Sequence, residues 1–149
     1  MKIKVLIPLY NDWQSVNQLI KKIDDIIADI QHQFSIIIIN DCSTEEKQRT
    51  FDQLENINSL KVINMKINNG HARCIATGLK YIYEKEEFDY IIPMDSDGED
   101  RPEEIKAFVD NLSYNPDVPI VGERVKRSEG ITFKTSYSIH KLITLIFTG

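Results

Sequence analysis

The sequence predicts an α/β protein with an open, mostly parallel sheet and helices on both faces. Short runs of Val, Leu and Ile alternate with longer stretches in which apolar residues recur at helical spacing. The run from Phe34 to Ile39 is uninterrupted and rich in β-branched residues, as in a central parallel strand covered on both faces. Elements that alternate this regularly form open parallel sheets with right-handed crossovers.

The first half of the chain contains two strands and a helix with clear signals. The first strand spans Lys2 to Ile7 and is expected to end at Pro8, because proline lacks the N–H that a central strand needs. The following helix has one apolar face, formed by Val16, Leu19, Ile20, Ile23, Ile26, Ile27 and Ile30. The second strand, 34–39, stops at Asn40-Asp41, and a short helix is expected after it.

The second half continues the alternation. A third strand covers 60–63, and Asn68-Asn69-Gly70 leads into a helix whose apolar residues are Ala72, Ile75, Ala76, Leu79 and Ile82. Tyr90 to Pro93 forms the fourth strand. A further helix begins at Arg101-Pro102-Glu103-Glu104, because proline suits the first helical turn and the acidic pair complements its positive end. Val118 to Val121 is predicted to be another strand.

Length and composition predict a single globular domain over residues 1–149. The chain is 42% hydrophobic and 28% charged, and its net charge of -5 provides no basic surface for nucleic acid. No apolar run approaches the roughly 20 residues needed to cross a bilayer. The two cysteines form no metal or disulfide pattern and no secretory leader is evident, so a cytoplasmic location is expected.

Polar residues follow three of the predicted strands, where ligands bind in parallel sheets. These segments are Pro8 to Asp12, Asn40 to Ser43 and Met94 to Asp100. The sequence has no GxGxxG after the first strand and no GxxxxGK[ST], which excludes a Rossmann dinucleotide site and a P-loop.

Asp95 and Asp97 are the strongest candidates for a metal site. They lie two residues apart in an extended segment, so both carboxylates can point to the same side as hard oxygen ligands for Mg²⁺ or Mn²⁺. Such an ion would neutralise a diphosphate leaving group. The alternative is that these carboxylates cap turns. A calcium-binding EF-hand loop is excluded because its sixth position, here Asp100, requires glycine.

Four segments together resemble the family 2 glycosyltransferases. They occur in the family's order across nearly the whole chain: Ile7-Pro8-Leu9-Tyr10-Asn11, Asn40-Asp41-Cys42-Ser43, Asn69-Gly70 with Ala72, Ala76 and Gly78, and Met94 to Glu104. The first acid of the family's Asp-Asp-x-Ser turn is replaced by Asn40. Gly122 to Ser128 most resembles the branch that transfers sugars to polyprenyl phosphate, which includes dolichyl-phosphate mannosyltransferases.

The resemblance implies a GT-A fold and an inverting transfer of sugar from a UDP- or GDP-linked donor. Asp41 would accept a hydrogen bond from the ring N–H of the base, and Pro8 and Tyr10 would help form the base pocket. Asp95 would lie near the ribose and the metal.

The implied metal ligands are Asp97 and Glu99, with Asp95 beside them, although Glu99 stands where this branch often has Gln. Arg124 and Arg127 would face phosphates, for which guanidinium is well shaped. A solvated loop cluster is the alternative for these two arginines.

The general base of the family cannot be placed, because it comes from a segment beyond Gly149 in the family's order. The chain is therefore expected to be a donor-binding part that is incomplete at its C-terminus, although a phosphate acceptor is already anionic and needs no base. Phe133 to Phe147 suits either an amphipathic helix on lipid headgroups or packing against further chain, and its apolar stripe favours self-association. The competing hypothesis is a non-catalytic nucleoside-diphosphate-binding domain.

Overall fold

A computed structural model describes residues 1–45, 51, 54–112, 114 and 118–122. The contacts divide the chain into two compact units, Met1–Pro116 and Asp117–Gly149. Every helix and strand described below lies in the first unit. The expected short helix after Asn40-Asp41 lies partly outside the described residues, and the segment from Phe133 to Phe147 lies wholly outside them.

Four parallel strands form the sheet: β1 (Lys2–Leu9), β2 (Gln33–Asn40), β3 (Ile57–Asn64) and β4 (Tyr90–Pro93). Their order is β3-β2-β1-β4, so β1 and β2 are central. Both central strands are buried over nearly their whole length, which agrees with their continuous apolar sequences. The prediction of a parallel α/β sheet is confirmed.

Helices cover both faces of this sheet. On one face α1 (Trp13–Ile27) and α3 (Ile105–Leu112), which follows a 3-10 turn at Pro102–Glu104, pack on the odd-numbered residues of β1. On the other face α2 (His71–Lys85) packs on Leu6, Ile37 and Ile39. Within the described residues, no helix is both long and apolar enough to cross a membrane.

The first strand runs further than expected and includes Pro8. The carbonyl of Lys2 accepts a hydrogen bond from the N–H of Asp89, just before β4, and that of Leu6 accepts from Met94, just after β4. Alternate residues of β1, including Pro8, therefore point their backbone groups toward that side. The pairing with β4 ends at Leu6 opposite Pro93. The missing N–H of Pro8 therefore breaks no ladder bond, and the prediction that Pro8 ends the strand was wrong.

Residues 118–122 contain no strand, so the strand expected at Val118 to Val121 is also corrected. Val118 is 58% exposed and Val121 is 85% exposed. β-branched composition alone suggested a strand, but a strand of a parallel sheet also needs neighbours that bury its side chains.

Candidate functional site at the carboxyl edge of the sheet

The loops that follow the strands emerge along one edge of the sheet. The register places Leu9 of β1 beside Asn40 of β2, and Asn40 beside Asn64 of β3. The fourth strand ends earlier, opposite Leu6, so its acidic loop starts lower on the same edge. This arrangement confirms the expectation that the polar segments after the strands share one edge.

Asp41 lies at the end of β2 and is only 3% exposed. One carboxylate oxygen accepts a hydrogen bond from the backbone N–H of Asn69 at 2.8 Å, and the other accepts from the N–H of Gly70 at 2.8 Å. Gly70 has φ +84 and ψ 163, which only glycine adopts readily. Asp41 therefore fixes the loop that opens α2.

A second set of hydrogen bonds joins the loops after β1 and β2. Asn11, which has φ 62, donates its N–H to the Ser43 hydroxyl at 2.8 Å. Its side-chain oxygen accepts from the N–H of Thr44 at 2.8 Å. The neighbouring Tyr10 is 51% exposed, whereas Pro8 is buried within β1. Of the two predicted base-pocket residues, Tyr10 thus offers a ligand much more surface.

The loop after β4 concentrates negative charge. Asp95 is partly buried, and its backbone N–H donates to the carboxylate of Asp100 at 2.7 Å. Burial is the main cause that raises the pKa of Asp95 above its usual value. The carboxylates of Asp100, Asp97 and Glu99 raise it further. A cation beside Asp95 would relieve this repulsion.

Asp97 caps the turn at the tip of this loop. Its Oδ1 accepts a hydrogen bond from the backbone N–H of Glu99 at 2.8 Å, and Gly98 between them has φ +85. The alternative prediction, that these carboxylates cap turns, is therefore confirmed for Asp97. Asp97 and Glu99 are exposed, and carboxylate oxygens such as theirs are the ligands that divalent ions such as Mg²⁺ prefer.

The acidic loop suits Mg²⁺ or Mn²⁺ by the chemistry of its carboxylate oxygen donors. Among the residues that the structure describes, no three His, Cys, Asp or Glu side chains stand close enough together to hold an ion. Asp95, Asp97 and Glu99 share the loop, but this conformation does not gather them around one point.

His71 is an exposed residue that faces the acidic loop. It is the first residue of α2, and its Nε2 lies 3.6 Å from Oδ2 of Asp95. Burial raises the pKa of Asp95 most, and the nearby His71 opposes that shift. The signal in the sequence was a titratable residue directly after the Asn69-Gly70 turn, at a helix start on the ligand-binding edge.

Arg124 and Arg127 lie outside the described residues, so their predicted phosphate contacts stay predictions. The same holds for the branch motif from Glu123 to Ser128.

Known proteins resemble this chain in both sequence and fold. The model for Glycosyl transferase family 2 matches residues 4–148. The undecaprenyl-phosphate 4-deoxy-4-formamido-L-arabinose transferase of Klebsiella pneumoniae strain 342 is 27% identical over 146 residues, which are 95% of this chain and 43% of that protein. The dolichol-phosphate mannosyltransferase of Pyrococcus furiosus is 25% identical over 126 residues, 85% of this chain and 34% of that protein.

The chain thus spans less than half the length of these curated relatives. Among solved structures, S. aureus TarS 1-349 in complex with UDP-GlcNAc matches with a TM-score of 0.57 and 22% identity, over 86% of this chain and 38% of TarS. That likeness confirms the GT-A fold. Since the family model covers nearly the entire chain, the protein belongs to glycosyltransferase family 2.

Proposed function

We propose that this chain binds a nucleoside-diphosphate sugar at the carboxyl edge of its sheet and contributes to an inverting sugar transfer. The observation that carries the proposal is the position of two acidic groups around the start of α2. Asp41 holds the backbone before this helix, and Asp95 faces its first side chain, His71. A nucleoside-diphosphate sugar has a base at one end and a diphosphate at the other. Such a donor could place its base near Asp41 and its diphosphate near Asp95.

Asp41 is proposed to recognise the base. A carboxylate has about four lone-pair sites, and the bonds from Asn69 and Gly70 use two of them. An N–H of the base can take another, beside the exposed ring of Tyr10. Pro8 is buried within β1 and would support this end of the site from beneath its surface. Because Asp41 is fixed before the donor arrives, little ordering is required on binding.

The diphosphate is proposed to lie over the acidic loop, where Asp95, Asp97 and Glu99 would hold Mg²⁺ or Mn²⁺. When bound, the ion would supply Lewis-acid stabilisation of the charge on the leaving diphosphate. The protein's own residues keep this loop in place through the N–H bond from Asp95 to Asp100 and the turn at Asp97. Arg124 and Arg127 are proposed to contact donor or acceptor phosphates.

The acceptor proposed is polyprenyl phosphate, which several curated relatives use according to their names. A phosphate oxygen is anionic at neutral pH and can attack the anomeric carbon without a general base. This acceptor is embedded in a membrane, so we expect the protein to work at the cytoplasmic membrane surface. Phe133 to Phe147 is the proposed contact segment.

A second function is a nucleoside-diphosphate-binding domain without sugar turnover. Both hypotheses predict donor binding, and only the first predicts transfer of labelled sugar to polyprenyl phosphate.

The first experiment is calorimetric titration with UDP, GDP and their sugar conjugates, each with and without Mn²⁺. We expect one base to be preferred and Mn²⁺ to strengthen its binding, and Asp97→Ala to remove the effect of the ion. Asp110→Ala, an exposed position in α3, is the matched control and should bind like the wild type. Absence of binding by the folded wild-type protein would contradict the proposed donor site.

A further inference from the structure

The outer side of α2, away from the sheet, carries a line of exposed apolar residues that the proposed function does not use. Ala72, Ala76, Leu79 and Tyr83 are all exposed, and Tyr83 is 80% exposed. Their spacing of four, three and four residues puts them in one line along a helix of 3.6 residues per turn, as in the seam of a coiled coil. We call these four residues the α2 stripe.

The α2 stripe is complementary in size to a second copy of itself. Its two alanines lie toward the start of α2, and its two large residues lie toward the end. In an antiparallel pair with a twofold axis between positions 77 and 78, Ala72 meets Tyr83 of the second copy. Ala76 meets Leu79 of the second copy in the same way. Each large side chain then faces a small one, which lets two helices pack closely.

The charged edge beside the α2 stripe is complementary in the same arrangement. Arg73 and Glu84 lie on the same side of the stripe, near opposite ends of α2. The ion pairs among the described residues do not include Arg73. In the antiparallel pair, the Cα of Arg73 is displaced along the helix axis by about 3 Å from that of Glu84 of the second copy.

The direction of helical side chains brings these two charges together. Side chains in a helix lean toward the N-terminus of their own helix, so Arg73 and Glu84 of the second copy lean toward one another. Lys80 of the second copy leans away from Arg73 for the same reason. Glu84 would thus lie between Lys80 of its own helix, 3.8 Å away, and Arg73 of the other copy.

We propose that α2 is the contact surface of a homodimer, in which two copies pack this helix antiparallel through the α2 stripe. The inference goes beyond the proposed function and does not depend on it. One helix from each copy makes an interface at the small end of specific complexes, so we expect a reversible dimer with a dissociation constant on the order of 10–100 µM. Because α2 begins at the candidate site, the two sites lie at opposite ends of the helix pair.

The first test is sedimentation equilibrium of the protein from about 10 µM to about 1 mM. Wild type should change from the mass of a monomer to that of a dimer over this range. Tyr83→Glu places a carboxylate in the seam and should weaken association at least about tenfold. Tyr114→Glu is the matched control, because Tyr114 is 81% exposed and lies outside α2, and it should associate like wild type.

The second test is an exchange of charges between two variants. Arg73→Glu and Glu84→Arg each bring like charges together in the homodimer and should weaken self-association at least about fivefold. An equimolar mixture of the two variants should associate like wild type, because both contacts between the copies then join opposite charges. Circular dichroism checks that each variant is folded.

Three results would overturn the inference. Wild type that stays monomeric at about 1 mM removes the dimer. A dimer that Tyr83→Glu leaves intact places the contact on another surface. A mixture that associates no better than its two components removes the antiparallel arrangement. None of these results bears on nucleotide binding, which the calorimetric titration measures separately.

Discussion

At the scale of single residues, buried carboxylates organise this protein by accepting hydrogen bonds from backbone N–H groups. Asp24 in α1 is 6% exposed and accepts from the N–H groups of Glu55, Asn56 and Ile57 at 2.9–3.0 Å. These donors lead into β3, so the carboxylate joins a helix to the start of a strand. Asp41 does the same for the start of α2.

Asp24→Asn should destabilise the protein by about 1–3 kcal/mol, because an amide has one acceptor oxygen and its NH₂ would face a backbone donor. The measurement is the free energy of unfolding from urea denaturation. Asp25→Asn changes the adjacent, exposed carboxylate in the same way and should leave stability within about 0.5 kcal/mol of wild type. Equal effects of the two substitutions would contradict the assigned role of Asp24.

At the scale of elements, close packing between α2 and the sheet requires glycine at position 78. A Cβ added to Gly78 would lie 2.4 Å from Cδ1 of Leu6 and 2.9 Å from Cγ1 of Ile39. Both neighbours are fully buried, so neither can move aside freely. Because Gly78 has no side chain, α2 can approach the two central strands closely.

Gly78→Ala should therefore destabilise the protein, although alanine favours helices by about 1 kcal/mol over glycine. Overpacking in a tight core costs about 1–3 kcal/mol, which outweighs that gain. The sharpest measurement is a double-mutant cycle with Leu6→Ala, which removes the clashing methyl groups. In that background the penalty of Gly78→Ala should be smaller, because only the 2.9 Å contact with Ile39 remains, and an unchanged penalty would show that the clash with Leu6 is not the cause.

At the scale of the whole molecule, one carboxylate links α2 to two strands. Glu86 follows α2, its side chain is 9% exposed, and it pairs with Lys4 of β1 at 3.1 Å and Lys61 of β3 at 2.5 Å. The hydrogen bond from Lys61 is the largest cause that lowers the pKa of Glu86 below 4.5. Burial opposes this shift, and Lys4 adds to it.

Because the folded-state pKa of Glu86 lies below the unfolded value, its ionised form stabilises the folded state above about pH 4.5. This contribution is lost as the pH falls through the lowered pKa. Glu86→Gln should thus flatten the acid side of a plot of unfolding free energy against pH. Glu84→Gln, whose exposed side chain lies 3.8 Å from Lys80, is the control and should keep the wild-type slope.

The candidate site was predictable in part. The acidic loop and Asp41 were found because polar residues follow hydrophobic runs, and parallel strands bring such ends to one edge. The partner of Asp95 was missed, since His71 and Asp95 come from different loops and meet only through the sheet order. No local pattern encodes that distance.

The sequence by itself determined the parallel α/β sheet, the buried central strand β2 and the family, because hydrophobic periodicity and strand-end motifs are local in the chain. Tertiary structure alone decided that Pro8 continues β1, that Asp41 clamps the loop before α2 and that Gly78 must lack a side chain. Each of these three residues has a role that depends on which strand, helix or loop packs beside it. Neighbours distant in sequence set the available hydrogen-bond partners and space, so only the folded chain reveals them.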